Sequence, residues 1–570
     1  MYHAYFNMDN KIELSVAQKE TNMPKQFPEL HSVFVSELPA DTSNENIPRS
    51  IEGAAYSWVK STPTKNSQII CLNRSLATTL GFTLDALSST AFAKLVSGNL
   101  SSLSYSYAMN YGGHQFGQWA GQLGDGRAIN LGQYKLTDSR LNYPYANKYL
   151  TLQLKGAGKT PYSRHADGMA VLRSSIREYL CSEAMYHLGI PTTRALSLTL
   201  TGEDVIRDKL YDGRAAYEPC AIVARISPSF LRFGSIQLPA SRGDYALLKE
   251  TIEFSIRHDY PSLVPTSGKL GKEVYLAWFK QVFDRTITLV VEWMRVGFVH
   301  GVLNTDNMSL IGETIDYGPY GWIDEFDLNW TPNTSDAAEK RYRFGQQANI
   351  AQWNLYQLAN AIYPLINETE PLQIILSNYT QQYQTQWLNM MRDKLGIQVA
   401  NIKQQNLQEK NILDLALCQD LEKMLSLVVT DMTLFYRALG ALDLTENMSN
   451  LTQLKTHFYD CFYHIDEINE AYLMRLSDWL RRYQIRHDHG ANESQRKIIM
   501  EKTNPCYILR NFQVQLAIEA AEKGCFEPLT QLSELLKTPY KQQLTFKQFE
   551  QKKPDWAKDK FGCSALSCSS

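Results

Sequence analysis

Between His300 and Gly318 the chain reads HGVLNTDNMSLIGETIDYG, which sets spaced acids and amides, Asp306, Asn307 and Asp316 among them, within short apolar runs. A few hard oxygen donors suit a divalent cation that keeps its other positions for phosphate oxygens, so the chemistry they could do is transfer of a phosphate-containing group. Val299, Met308, Leu310, Ile311 and Ile315 interleave with them, as in two short strands joined by a turn at Gly312. An ordinary polar turn has the same composition, so the assignment rests on what precedes it in the chain.

Protein kinases hold the ions on ATP with an Asn that closes a catalytic loop and an Asp in a later turn, the places occupied here by Asn307 and Asp316. Kinases set their proton-accepting Asp five residues before that Asn. That position is Val302, which has no acceptor atom, so the conventional base is missing.

The elements that would position such a site come earlier. Residues 111–132, YGGHQFGQWAGQLGDGRAINLG, carry glycines at 112, 113, 117, 121, 124, 126 and 132, a density that lets main-chain N–H groups approach phosphates. The run from Arg127 to Gly132 alternates like a strand, which favours a Gly-rich hairpin over a dinucleotide-binding turn; Arg127 adds a fixed charge. A second strand, Tyr149–Leu154, leads to Lys155, in the place of the kinase lysine that grips ATP. Residues 169–188 have helical spacing closed by Gly189 and Pro191, with Glu178 placed to reach Lys155 or, alternatively, to pair with Arg173 or Arg177 on its own helix. Strands are expected at 196–200 and 221–226, and Arg225 and Arg232 could clamp one anion. A long helix is expected over 270–298.

The chain has 570 residues, 44% hydrophobic, with 57 basic against 59 acidic side chains, enough for a substantial core and without the basic excess of a nucleic-acid binder. No apolar run nears the roughly 18 residues that span a bilayer, and Asp9, Lys11 and Glu13 interrupt any signal-like start, so a cytoplasmic location is expected. The nine cysteines form no Cys-x-x-Cys pair. Residues 1–66 read as an arm, 67–235 as an N-terminal lobe, 236–545 as a catalytic loop with a helical lobe, and 546–570 as a charged linker with a cysteine-containing tail. The Gln- and Asn-rich stretch 394–414 reads as an exposed connection.

Taken together, the strings from Tyr111 to Arg127, from Leu154 to Arg164 with Asp167-Gly168, from His300 to Ser309, from Ile315 to Gly321 and from Asn504 to Asn511 resemble the selenoprotein O family of protein adenylyltransferases, pseudokinases that move AMP. The resemblance covers most of the chain. It implies ATP bound in an orientation flipped relative to kinases, with Lys155, Arg225 and Arg232 on its phosphates and Glu178 orienting the lysine. It also implies Gly124, Gly126, Arg127, Asp167 and Gly168 around the nucleotide, Asn307 and Asp316 on Mg2+ or Mn2+, and Asp306 as the catalytic base. Cys568-Ser569-Ser570 matches the family's C-terminal Cys-Ser-Ser. The bridge that the resemblance implies, to a cysteine in the loop after the metal-binding Asp, has no partner in Asp327–Asp336, so the tail thiols Cys563 and Cys568 are expected to be solvent-accessible.

The expected architecture is an α/β (α+β) protein-kinase-like fold: an N-terminal lobe with an antiparallel sheet and one key helix, then a larger, mainly helical lobe. The expected partners are ATP and protein substrates carrying Ser, Thr or Tyr hydroxyls, with no nucleic acid and no membrane. Two other readings stay open: an atypical kinase with Asp306 as base, and a catalytically silent ATP-binding scaffold.

Overall fold

A computed structural model describes residues 24–100, 106–136, 149–209, 213–398, 407–488 and 493–567. The first half of the chain builds an antiparallel sheet from β1 (Leu30–His31), β2 (Tyr56–Trp58), β3 (Gln68–Leu72) and β4 (Tyr107–Met109). After a separate hairpin of β5 (Gly112–Gln115) and β6 (Gln118–Gln122), the sheet continues with β7 (Ala128–Lys135), β8 (Tyr149–Lys155), β9 (Arg194–Arg207) and β10 (Ala216–Ser227). The strand order is β2-β4-β7-β8-β10-β9-β3, with β1 paired to β7, so the segment before residue 66 contributes two strands to the same sheet.

Alternation along β8 decides what each face of the sheet does. Leu150, Leu152 and Leu154 point into an outer core with Phe82, Phe92 and Leu95, each buried leucine contributing about 1.5–3 kcal/mol. Thr151, Gln153 and Lys155 necessarily take the opposite face, against which the helix Leu172–His187 packs. That helix is buried on almost every side, so its charges must be paired. Arg173 meets Glu218 at 2.5 Å, Glu183 meets Arg194 at 2.8 Å, and Glu178 faces the sheet.

The second half is mainly helical. Trp278, Phe279, Phe283, Ile287, Val290 and Val291 line the buried stripe of the helix Lys272–Val296, as their spacing predicts. Gly297 ends it in the left-handed conformation (φ +76), and a two-stranded ladder, Phe298–Val299 against Gly321–Trp322, ties together the two ends of the segment 300–320. Among the described residues no helix is long and apolar enough to cross a membrane.

Three expectations are corrected. Residues 308–314 form single bridges, Met308 to Thr314, Ser309 to Arg232 and Thr314 to Thr192, because neighbouring chain claims both flanks before a ladder can lengthen; Gly312 does make the turn, at φ +72. The stretch 394–414 is no exposed connection at either end: Lys394 is buried on the carbonyl of Arg295, and Asp414, in the helix Leu407–Leu425, is buried between Arg392 and Arg486. The tail folds back. Leu566 donates its N–H to Pro332 O and accepts from Thr334 N–H, both at 2.8 Å, and Cys563 is buried with Phe512 and Ala557, which pushes its thiol up to about 11. Cys568 lies outside the described residues.

Candidate active site

Lys155 stands at the end of β8, where the sheet meets the segment 300–320. Its Nζ lies 2.7 Å from Glu178 Oε2 and 2.7 Å from Asp316 Oδ1. Glu178 therefore does not pair within its own helix. Its other oxygen accepts from Arg225 Nη1 at 2.8 Å, and the same nitrogen donates to the carbonyl of Ile315 at 2.9 Å, fixing the backbone just before Asp316. Cross-strand register adds the rest: Arg225 is opposite Gln153, which is opposite Asn130, and Gln153 accepts from Arg225 Nε at 3.2 Å while donating to Asn130 Oδ1 at 3.0 Å. Burial by itself would raise the Asp316 carboxyl, but Lys155, with Arg225 and Arg127, holds it well below the usual carboxylate range. The carboxylate is ionised throughout the working pH range and only partly covered.

A second cluster surrounds Asp306, carried on the single turn Thr305–Asn307. The hairpin β5–β6 closes over it through a two-residue turn with both residues left-handed, Phe116 (φ +49) and Gly117 (φ +83). It is pinned by His114 N–H to Thr305 Oγ1 at 2.7 Å and by Phe116 N–H to Tyr342 Oη at 2.9 Å. A Cβ on Gly113 would come 2.8 Å from Asp306 Oδ1, and one on Gly234 would come 2.0 Å from Gly112 O, so glycine here serves close approach between chain segments. Asp306 Oδ2 accepts from Gln115 Nε2 at 3.4 Å, while the buried Oδ1 has no partner among the described residues. Burial pushes the Asp306 carboxyl up to about 6. Arg232, stacked over the Tyr111 ring at 4.3 Å, donates to the carbonyl of Asp306 at 3.0 Å and holds that turn from behind.

Asn307 donates through Nδ2 to Val302 O at 2.9 Å, which leaves its Oδ1 as the oxygen available to a cation. With the Asp316 carboxylate this makes two hard oxygen donors of protein origin. Donors of this type suit an ion such as Mg2+, which takes one or two carboxyl or amide oxygens and completes its shell with phosphate and water.

Gly124 and Gly126 pack against Tyr162, where a Cβ on Gly124 would sit 2.3 Å from the ring, and Thr160 Oγ1 donates to Asp125 O at 2.7 Å. Together with Tyr111, Gln115, Arg164 and Asp306, Gly124 and Tyr162 bound an open cleft of about 470 Å3. Asp167 lies apart from the Lys155 network: it accepts two hydrogen bonds from Arg207, both at 2.8 Å, and Gly168 (φ +75) presses against Gly158 O. Residue types and spacing do not single out Gln153, Gln115, Tyr111 or Arg207. Gln153 has a signal that could have found it, being two residues before Lys155 on the same strand; the other three depend on pairings between distant segments. His300, packed on Trp293 at 5.5 Å with both ring nitrogens unpartnered among the described residues, is pushed down to about 4 by burial and stays neutral.

Residues 43–537 match the family model described as protein adenylyltransferase SelO. The protein nucleotidyltransferase YdiU of Rhodopirellula baltica is 47% identical over 547 residues, covering 94% of this chain and 98% of that relative. Its namesake in Flavobacterium johnsoniae is 46% identical over 543 residues, covering 95% and 99%, and that of Nitrosospira multiformis is 46% identical over 559 residues, covering 94% and 95%.

Proposed function

Because this chain belongs to the SelO family of protein adenylyltransferases, and so is a nucleotidyltransferase that uses ATP, we propose that it transfers AMP to Ser, Thr or Tyr hydroxyls of other proteins with release of pyrophosphate. One observation carries the reading. The kinase-like bridge of Lys155 to Glu178 and Asp316 is intact, whereas the position of the kinase base is Val302 and a carboxylate stands instead at Asp306, on the wall of the cleft. A protein-kinase-like fold fits this arrangement: an antiparallel sheet with one buried helix on one side, the mainly helical part on the other, and the site between.

In this reading Glu178, held by Arg225, keeps Lys155 extended toward the phosphates, and Arg127 adds charge at the lip. Arg225 and Arg232 were expected on the phosphates; their guanidinium groups are engaged with Gln153, Glu178 and Ile315 O, and with Tyr111 and Asp306 O, which suits positioning of Glu178, Asp316 and Asp306. Gly124, Gly126, Asp167 and Gly168 would lie around the nucleotide. Asn307 and Asp316 would hold Mg2+ or Mn2+, which offsets the charge developing on the transferred phosphate. Asp306, on the wall of the cleft, would accept the proton of the attacking hydroxyl. ATP labelled separately at its α and γ positions tests this: α label on protein is expected, γ label on protein would make the chain a kinase, and neither would make it a scaffold.

A further inference from the structure

We propose that the groove leading outward from Asp306 past Tyr162, Arg164 and His165 to Pro48 and Arg49 seats the protein substrate, and that it selects acceptor hydroxyls flanked by acidic side chains. This rests on the reading of Asp306 as the base for AMP transfer. Two clefts meet there, the one of about 470 Å3 that contains Asp306 and Gln115, and one of about 500 Å3 walled by Pro48, Arg49 and Pro161; Leu123, Tyr162, Arg164 and His165 belong to both. A chain segment whose hydroxyl reaches Asp306 therefore has a continuous path along which to lie.

The charge of that path is one-sided. Arg164 and His165 are exposed at the tip of a turn, and neither side chain has a protein partner among the described residues. The turn beneath them is firmly tied, by Thr160 Oγ1 to Asp125 O, by Ser163 Oγ to Gly126 O and by Ala166 N–H to Ser163 O. Arg164 is held with φ +54, a left-handed backbone that a non-glycine residue adopts at some cost and that is over-represented at sites which grip ligands. Arg49 is already neutralised by Asp41, and in the lining of both clefts Asp306 is the sole carboxylate, at the inner end. Lys155 and Arg127, whose charge serves the polyphosphate, line neither cleft. The outer cation Arg164, with the His165 ring beside it as a hydrogen-bonding group, is thus left for the partner and complements an acidic flank on the peptide.

The test uses the full chain with a non-hydrolysable ATP analogue and fluorescent peptides carrying one Thr, flanked by Asp and Glu or by Asn and Gln. The acidic peptide is expected to bind about tenfold tighter, with the advantage shrinking as salt rises. Arg164→Asn with His165→Asn, asparagine being tolerant of the left-handed backbone, should erase the difference while the dissociation constant of the ATP analogue holds. Equal binding of the two peptides by the parent chain would overturn the proposal. So would a double variant that keeps the preference but loses ATP affinity, since Arg164 and His165 would then belong to the nucleotide. Selective peptide binding without α-label transfer would instead sink the AMP-transfer reading and leave the groove standing.

Discussion

Gly113 and Asp306 are separated by less room than a methyl group needs: a Cβ on the glycine would lie 2.8 Å from Asp306 Oδ1 and 2.9 Å from its Cβ. The hairpin that covers the site is thus seated directly on the carboxylate proposed as base. Gly113→Ala must lift the hairpin or tilt the carboxylate. Turnover is expected to fall about 10- to 100-fold, as misplacement by about 1 Å does, with the melting temperature within about 3 °C of the parent. An alanine variant with full turnover would show that the carboxylate needs no such cover.

Asp306 and Asp316 should fail in different ways. Asp306→Asn keeps shape and removes the acceptor, so turnover should drop about 10²- to 10⁴-fold with ATP affinity within about threefold. Asp316→Ala removes a metal donor and the counter-charge of Lys155, so metal-dependent ATP binding should itself collapse. Titration calorimetry with and without Mg2+ separates the two, and an equal loss of binding in both variants would sink the division of roles.

Val302→Asp restores a carboxylate at the kinase position. We expect no γ-phosphate transfer from it, because the backbone carbonyl of Val302 is held by Asn307 at 2.9 Å and the phosphate chemistry is proposed to occur at Asp306. Incorporation of γ label at a rate comparable with the parent's α-label transfer would count against the flipped nucleotide.

Glu313 is a buried carboxyl outside the proposed chemistry, hydrogen-bonded by Ser227 at 2.8 Å and pushed up to about 8 chiefly by desolvation. A carboxyl whose folded value is raised stabilises the fold most fully below its unfolded value of about 4.3, and that contribution is lost as pH rises toward about 8. Glu313→Gln, which cannot ionise, should therefore gain in melting temperature relative to the parent as pH goes from about 5 to about 8.5. Thermal scans across that range check it; a constant difference between the two proteins would mean that Glu313 does not titrate there.

The parts of the site legible in the residues were those whose partners come from local periodicity. Alternation in β8 put Lys155 on the helix-facing side, and the 3.6-residue stripe of Leu172–His187 put Glu178 opposite it; order along the chain did the rest. Arg207 against Asp167 was not legible, because the pair is 40 residues apart and both side chains have the composition of a solvated surface. The same reason hid the burial of Asp414, whose partners Arg392 and Arg486 lie 22 and 72 residues away. The tail misled for another cause: Ser- and Lys-rich composition signals exposure only when no distant surface offers backbone partners, and Pro332 and Thr334 offer two.

Those partners bear on when in its synthesis the protein can become complete. Leu566 bonds Thr334 across 232 residues, and Asn333 beside it donates to Gly301 O at 3.0 Å, at the root of the loop that carries Asp306. Every residue assigned to ATP or metal has left the ribosome long before Leu566 is made. The nascent chain therefore carries that chemistry before this support of its catalytic loop exists, since the support arrives only after the helical part that precedes the tail has been translated.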